Sequence, residues 1–64
     1  MKQVDLIKRL RRIAKANGGT AELVRSSGDH DIWSVAGVQV SIPRHREINE
    51  RTANGIIDRA EEGR

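Results

Sequence analysis

Cysteine is absent from this 64-residue chain, which excludes disulfide staples and thiolate metal sites together. Phenylalanine and tyrosine are absent as well, and Trp33 is the single aromatic residue. Any core has to be assembled from Leu, Ile, Val and Ala. Two histidines, His30 and His45, without a second clustered ligand set give no reason to expect a structural zinc site, and no metal or other cofactor is expected. The opening, Met1-Lys2-Gln3-Val4-Asp5, lacks the long apolar run that a signal peptide or membrane span needs. Residence in the cytoplasm, with no membrane partner, is the expectation. Neither a Gly-rich phosphate loop, nor a paired-carboxylate set, nor a Ser-His-Asp arrangement stands out.

What the chain does have is charge, unevenly spread. Residues 1–20 carry Lys2, Lys8, Arg9, Arg11, Arg12 and Lys15 against Asp5 alone, six cations to one carboxylate and a net of +5, so residues 21–64 sum to −2 within a total of +3. A concentrated basic segment on a small protein suits a polyanion, either nucleic acid or an acidic protein. A solvated helix face accounts for it equally well. The length allows one core, so residues 1–64 are read as a single domain, and a domain of this size is marginally stable alone.

The first segment reads as a helix over about residues 4–17. At helical pitch Leu6, Ile7, Leu10, Ile13 and Ala14 share one face, and Lys8, Arg11, Arg12 and Lys15 share the opposite one, with Arg9 at the border. Asn17-Gly18-Gly19 then supplies residues that close a helix in the left-handed conformation. Residues 20–42 show no helical period, are rich in β-branched side chains, and are broken by Ser26-Ser27-Gly28 and Ala36-Gly37. Three short strands are expected, at about 20–26, 30–35 and 38–42. Pro43 cannot donate to a ladder and closes the third. Residues 44–47 form a loop, and Asn49 caps a second helix running to about Glu62, with Ala53, Ile56, Ile57 and Ala60 as its apolar stripe. Gly55 lies on that helix's polar side, and residues 61–64 read as a frayed end. The element order is α-β-β-β-α, an α+β fold in which both helices cover one face of a three-stranded antiparallel sheet.

The register of the second hairpin decides where His30 points. If Ala36-Gly37 is a two-residue turn, Trp33, Val35, Val38, Val40 and Ile42 share the apolar face, and His30, Ile32, Ser34, Gln39 and Ser41 share the polar one. A three-residue loop would put His30 and Ile32 on the Val40/Ile42 side. The first register gathers more apolar surface and leaves His30 accessible.

Histidine is the side chain suited to move protons near neutral pH. His30 stands in Ser27-Gly28-Asp29-His30-Asp31, at a turn leading into a strand, where a reactive side chain is exposed yet rigidly held. Asp29 and Asp31 flank it. A polar strand residue with no chemical role is the plainer account of His30, and loop packing is the plainer account of His45, which lies between Arg44 and Arg46.

Three stretches change that balance. Asp5-Leu6-Ile7-Lys8-Arg9-Leu10 sets an acidic residue, two aliphatics, a basic residue and a leucine at the first helix. Gly28-Asp29-His30 is followed by the aliphatic-aromatic pair Ile32-Trp33, and Val40-Ser41-Ile42-Pro43-Arg44-His45 ends the third strand. In these stretches, and over nearly its whole length, the chain resembles the HicA family of small toxins, in which Gly-Ser-His and Pro-x-His elements occur in this order and spacing. The resemblance implies a double-stranded-RNA-binding-like fold and a metal-independent ribonuclease that cleaves mRNA and blocks translation. It also implies control by a HicB-type antitoxin, with any pairing of two copies of the chain occurring mainly in that complex. It maps the family's essential histidine onto His30. Asp29 departs from the family serine and adds negative charge where a phosphate would approach. Thr52 stands for the family's usual threonine in a loosely matching stretch.

On this reading His30 is the catalytic residue. Gly28, Arg44 and His45 are candidate phosphate contacts beside it, and Lys8, Arg12 and Lys15 are candidate contacts to a longer RNA backbone or to the antitoxin. Two other readings stay open: an RNA-binding module that does not cleave, and a basic interaction domain for an acidic protein.

Overall fold

The computed structural model describes residues 1–62, arranged as α1 (Gln3–Ala16), β1 (Ala21–Ser27), β2 (His30–Val35), β3 (Val38–Pro43) and α2 (Glu50–Glu62). The strands form one antiparallel sheet in the order β1-β2-β3. This is the α+β, α-β-β-β-α architecture that the patterning predicts.

α1 forms because its apolar residues recur at helical spacing; Leu6, Leu10, Ile13 and Ala14 are buried, while Lys8, Arg9, Arg11, Arg12 and Lys15 are exposed. It ends where the sequence indicates. Gly18 takes a φ of 75°, its amide reaches the Lys15 carbonyl, and the Gly19 amide reaches the Ala14 carbonyl at 2.9 Å. The Asn17 side-chain amide donates to the Ile13 carbonyl at 2.8 Å. Carbonyls that the helix leaves unpaired are thereby satisfied.

The second hairpin takes the two-residue form. Val35 pairs with Val38, Trp33 with Val40, and His30 with Pro43. Ala36 and Gly37 both have positive φ, 49° and 91°, the twist that suits a tight right-twisted hairpin. Val35, Val40 and Ile42 are buried, with Trp33 packed against them, whereas Gln39 and Ser41 on the other face are exposed. The core joins Val35, Val40 and Ile42 to Leu6, Leu10, Ile13 and Ala14 of α1 and to Ala53, Ile56, Ile57 and Ala60 of α2. Both helices therefore lie on that one face.

The first hairpin differs from expectation. β1 runs one residue past the expected end, through Ser27; the turn is Gly28-Asp29, and Ser27 pairs with His30 across it. Gly28 adopts a φ of 59°, which a side chain would strain. The ladder shifts between Leu23 and Arg25, so Val24 is an extra residue without a partner across the strand.

α2 starts at the cap read from sequence, since Asn49 Oδ1 accepts the Thr52 amide at 3.0 Å. Ile48, just before the cap, is buried with Ala53 in the same cluster, an apolar staple that fixes how the chain enters the helix. Glu61 and Glu62, expected to fray, lie within α2; Gly63 and Arg64, the rest of that expected frayed end, fall outside the described residues. Among the described residues no helix is long and apolar enough to cross a membrane.

Candidate active site

His30 is the first residue of β2, and two constraints fix its backbone: the Gly28-Asp29 turn before it and its pairing with Pro43. Its ring is half exposed. Pro43 in turn is tied to the start of α1, because Gln3 Nε2 donates to the Pro43 carbonyl at 3.0 Å.

The segment after β3 is held residue by residue. The Arg44 amide bonds the Asp29 carbonyl at 2.8 Å, the Gln3 amide bonds the Arg46 carbonyl at 2.9 Å, and the Ile48 amide bonds the Met1 carbonyl at 2.7 Å. Lys2 and Glu47 form an isolated antiparallel bridge. His45, exposed, sits between these fastenings. Loop backbone secured this way presents a side chain in a defined place, as strands do.

This loop and the first turn of α2 come round the end of the sheet and meet His30. The result is an open hollow of about 340 Å³ lined by His30, Pro43, His45, Glu47, Ile48, Asn49 and Thr52. Both histidines of the chain thus share one surface depression, although 15 positions separate them in sequence.

The two carboxylates that flank His30 have different fates. His30 Nδ1 and Asp29 Oδ1 lie 2.7 Å apart, in hydrogen-bond contact. That bond, above all, holds the Asp29 carboxyl below its ordinary range, with help from its own backbone amide and from the nearby His45. Asp31 turns away. Strand alternation sends its side chain to the opposite face, where Arg44 Nε and Ser26 Oγ both donate to its Oδ1 at 2.8 Å. Those two bonds lower the Asp31 carboxyl in the same way.

The remaining sequence candidates divide accordingly. Gly28 lies in the turn next to the site and contributes conformation through its left-handed backbone. Arg44 is adjacent in the chain to His45, but its guanidinium is directed to Asp31. Lys8, Arg12 and Lys15 lie exposed on α1, on the other side of the sheet from the face that carries His30, and they form no part of the hollow. Among the described residues these three cations, with Arg9 and Arg11, make no ion pair. Lys15 and Arg11 instead border a separate shallow depression with Gly19, Thr20 and Ala21.

Sequence reasoning alone does not place Glu47, Ile48 and Asn49 at the site. Asn49 is legible as a cap, and a cap that opens beside a strand end is a signal for a surface cleft. Glu47 carries no signal; its place follows from the pairing of Lys2 with the loop. Among the described residues no three His, Cys, Asp or Glu side chains are grouped so as to hold a metal ion.

An imidazole with one nitrogen engaged by a carboxylate and a second imidazole in the same hollow are side chains of the kind that accept and donate protons. Comparison with known proteins gives no match to a family model, to a curated protein or to a solved structure.

Proposed function

We propose that the chain is a HicA-type toxin, an endoribonuclease that cleaves mRNA without a metal and blocks translation, with His30 as its general acid/base. The observation that carries this reading is the meeting of a half-exposed, carboxylate-bonded His30 with His45 in one open hollow at the end of the sheet.

Cleavage of RNA by its own 2′-hydroxyl needs two proton transfers. The 2′-oxygen attacks phosphorus as its proton passes to a base; the bond from phosphorus to the 5′-oxygen breaks as that oxygen receives a proton from an acid. The products are a 2′,3′-cyclic phosphate and a 5′-hydroxyl. His30 takes the first proton, and His45, which lines the same hollow, returns one to the 5′-oxygen. Charge developing on the phosphate is met by the first turn of α2, whose positive end opens at Asn49 and Thr52. Glu47, which lines the hollow, puts a carboxylate near that phosphate, which suits slow turnover. A toxin that need only disable messages tolerates slow turnover.

The exposed cations of α1 have a separate use, as contacts to a longer RNA backbone or to an acidic HicB-type antitoxin in the cytoplasm. Their lack of ion pairs favours a second reading, an RNA-binding module in which His30 is incidental. That module would bind RNA with steep salt dependence and leave it intact. A basic interaction domain would instead ignore RNA at physiological salt and capture an acidic protein.

Expression of the chain in a bacterial host separates these readings. Growth arrest with decay of messages, relieved by His30→Ala, is the expected outcome. Arrest that persists unchanged in His30→Ala would remove the nuclease reading.

A further inference from the structure

Asp29 is 77% exposed, so its contact with His30 adds little as a stabilising ion pair. Its consequence lies in the ring. The carboxyl is ionised at neutral pH, and an ionised carboxylate accepts hydrogen bonds without donating any. At 2.7 Å from Asp29 Oδ1, His30 Nδ1 therefore carries a hydrogen whether the ring is charged or neutral. Nε2 is then the ring nitrogen that this contact leaves unengaged. The contact is also mechanically defined. Asp29 follows a glycine at φ 59°, and its carbonyl is held by the Arg44 amide at 2.8 Å, one residue before His45. The peptide that joins Asp29 to His30 is thus tied to the start of the loop that carries His45.

We propose that Asp29 is a positioning residue for His30, fixing Nδ1 as the protonated ring nitrogen and leaving Nε2 free to act in the hollow shared with His45. The assignment of a task to Nε2 rests on the nuclease reading; the ring's tautomer does not. A serine hydroxyl at position 29 could either donate to or accept from Nδ1, and would leave the choice of nitrogen open. The carboxylate settles it.

The ring nitrogens report this directly. With the protein labelled with ¹⁵N and the ring neutral, wild-type His30 should show a protonated Nδ1 and an unprotonated Nε2. A histidine without such a partner favours the Nε2–H form, so Asp29→Ala should shift His30 to it, with the backbone amide spectrum preserved. Asp29→Asn, the same shape without the charge, should weaken the preference for Nδ1–H and serves if the alanine variant folds poorly. On an RNA substrate, Asp29→Ala should lower kcat about 10-fold to 100-fold, less than the roughly 100-fold to 10,000-fold ascribed to a general acid/base itself, and leave KM within about twofold. A wild-type His30 found in the Nε2–H form would overturn the proposal, as would an unchanged tautomer in both variants. Tautomer shifts as expected in a chain that cleaves no RNA would sustain the positioning of His30 and remove the nuclease reading instead.

Discussion

The two edge strands of the sheet have similar lengths and similar shares of β-branched or aliphatic residues, yet they occupy opposite situations. β3 buries Val40 and Ile42 beneath the helices, and its margin is attended by side chains: Arg59 Nε donates to the Gln39 carbonyl at 3.0 Å, and Gln3 Nε2 donates to the Pro43 carbonyl. β1 has no such cover. Every residue from Glu22 to Ser27 is exposed, including Leu23 at 53% and Val24 at 46%. Its attachment is the ladder to β2 and the Ser26–Asp31 hydrogen bond. The difference follows from where two short helices can reach. α1 and α2 pack against each other, α2 over β3 and α1 over β2, and Ala21 is the β1 residue packed against the core. Strength resides in one half of the sheet, and the candidate site is built on that half's end.

Substitutions should expose this asymmetry. The largest effect is expected in β3: Ile42 is fully buried, and Ile42→Ala should cost about 2–5 kcal/mol in urea denaturation, a large part of what holds a domain of this size. A loss under about 1 kcal/mol would mean that the core is looser than its burial indicates. Next comes the joint between α1 and the sheet. A Cβ on Gly19 would stand 2.7 Å from the Ala36 Cβ and 2.9 Å from its Cα, so Gly19→Ala should destabilise by about 1–3 kcal/mol through forced displacement of that turn. Smaller is the effect of acid. The Asp31 carboxyl is lowered by Arg44 and Ser26, so its contribution is complete above the ordinary aspartate value of 3.8 and is lost as pH falls below that. Hydrogen exchange should then quicken in β1 before β3. Least of all, Leu23→Ser should change stability by no more than about 0.5 kcal/mol, because the side chain already faces water.

Much of this architecture is legible in the sequence, and the reason is periodicity. The helical spacing of Leu6, Leu10, Ile13 and Ala14 and that of Ala53, Ile56, Ile57 and Ala60 leaves one face for each helix to bury. Ala36-Gly37 then sets the register of β2 and β3, and with it the face on which His30 emerges. β1 is harder to read because Leu23 and Val24 are adjacent, which breaks strict alternation, and the bulge sits at that break. At the site, His30 and His45 stand out by residue type. That they share a hollow cannot be read locally, since it depends on backbone bonds from residues 1–3 to residues 46–48. Asp31 is within reach of sequence reasoning: the same alternation that exposes His30 turns Asp31 to the other face, where it takes Arg44 with it. Asp29 lies in the turn, outside any alternation, and its bond to Nδ1 emerges from the turn geometry alone.

The proposed chemistry turns on the imidazole at position 30 moving a proton. The direct measurement is the rate at which the purified chain cuts an RNA strand in the presence of EDTA, with wild type and His30→Ala compared at matched folding. Scission that yields 2′,3′-cyclic phosphate ends and falls by about 100-fold or more in the variant is the predicted result. Equal rates in the two proteins would contradict it.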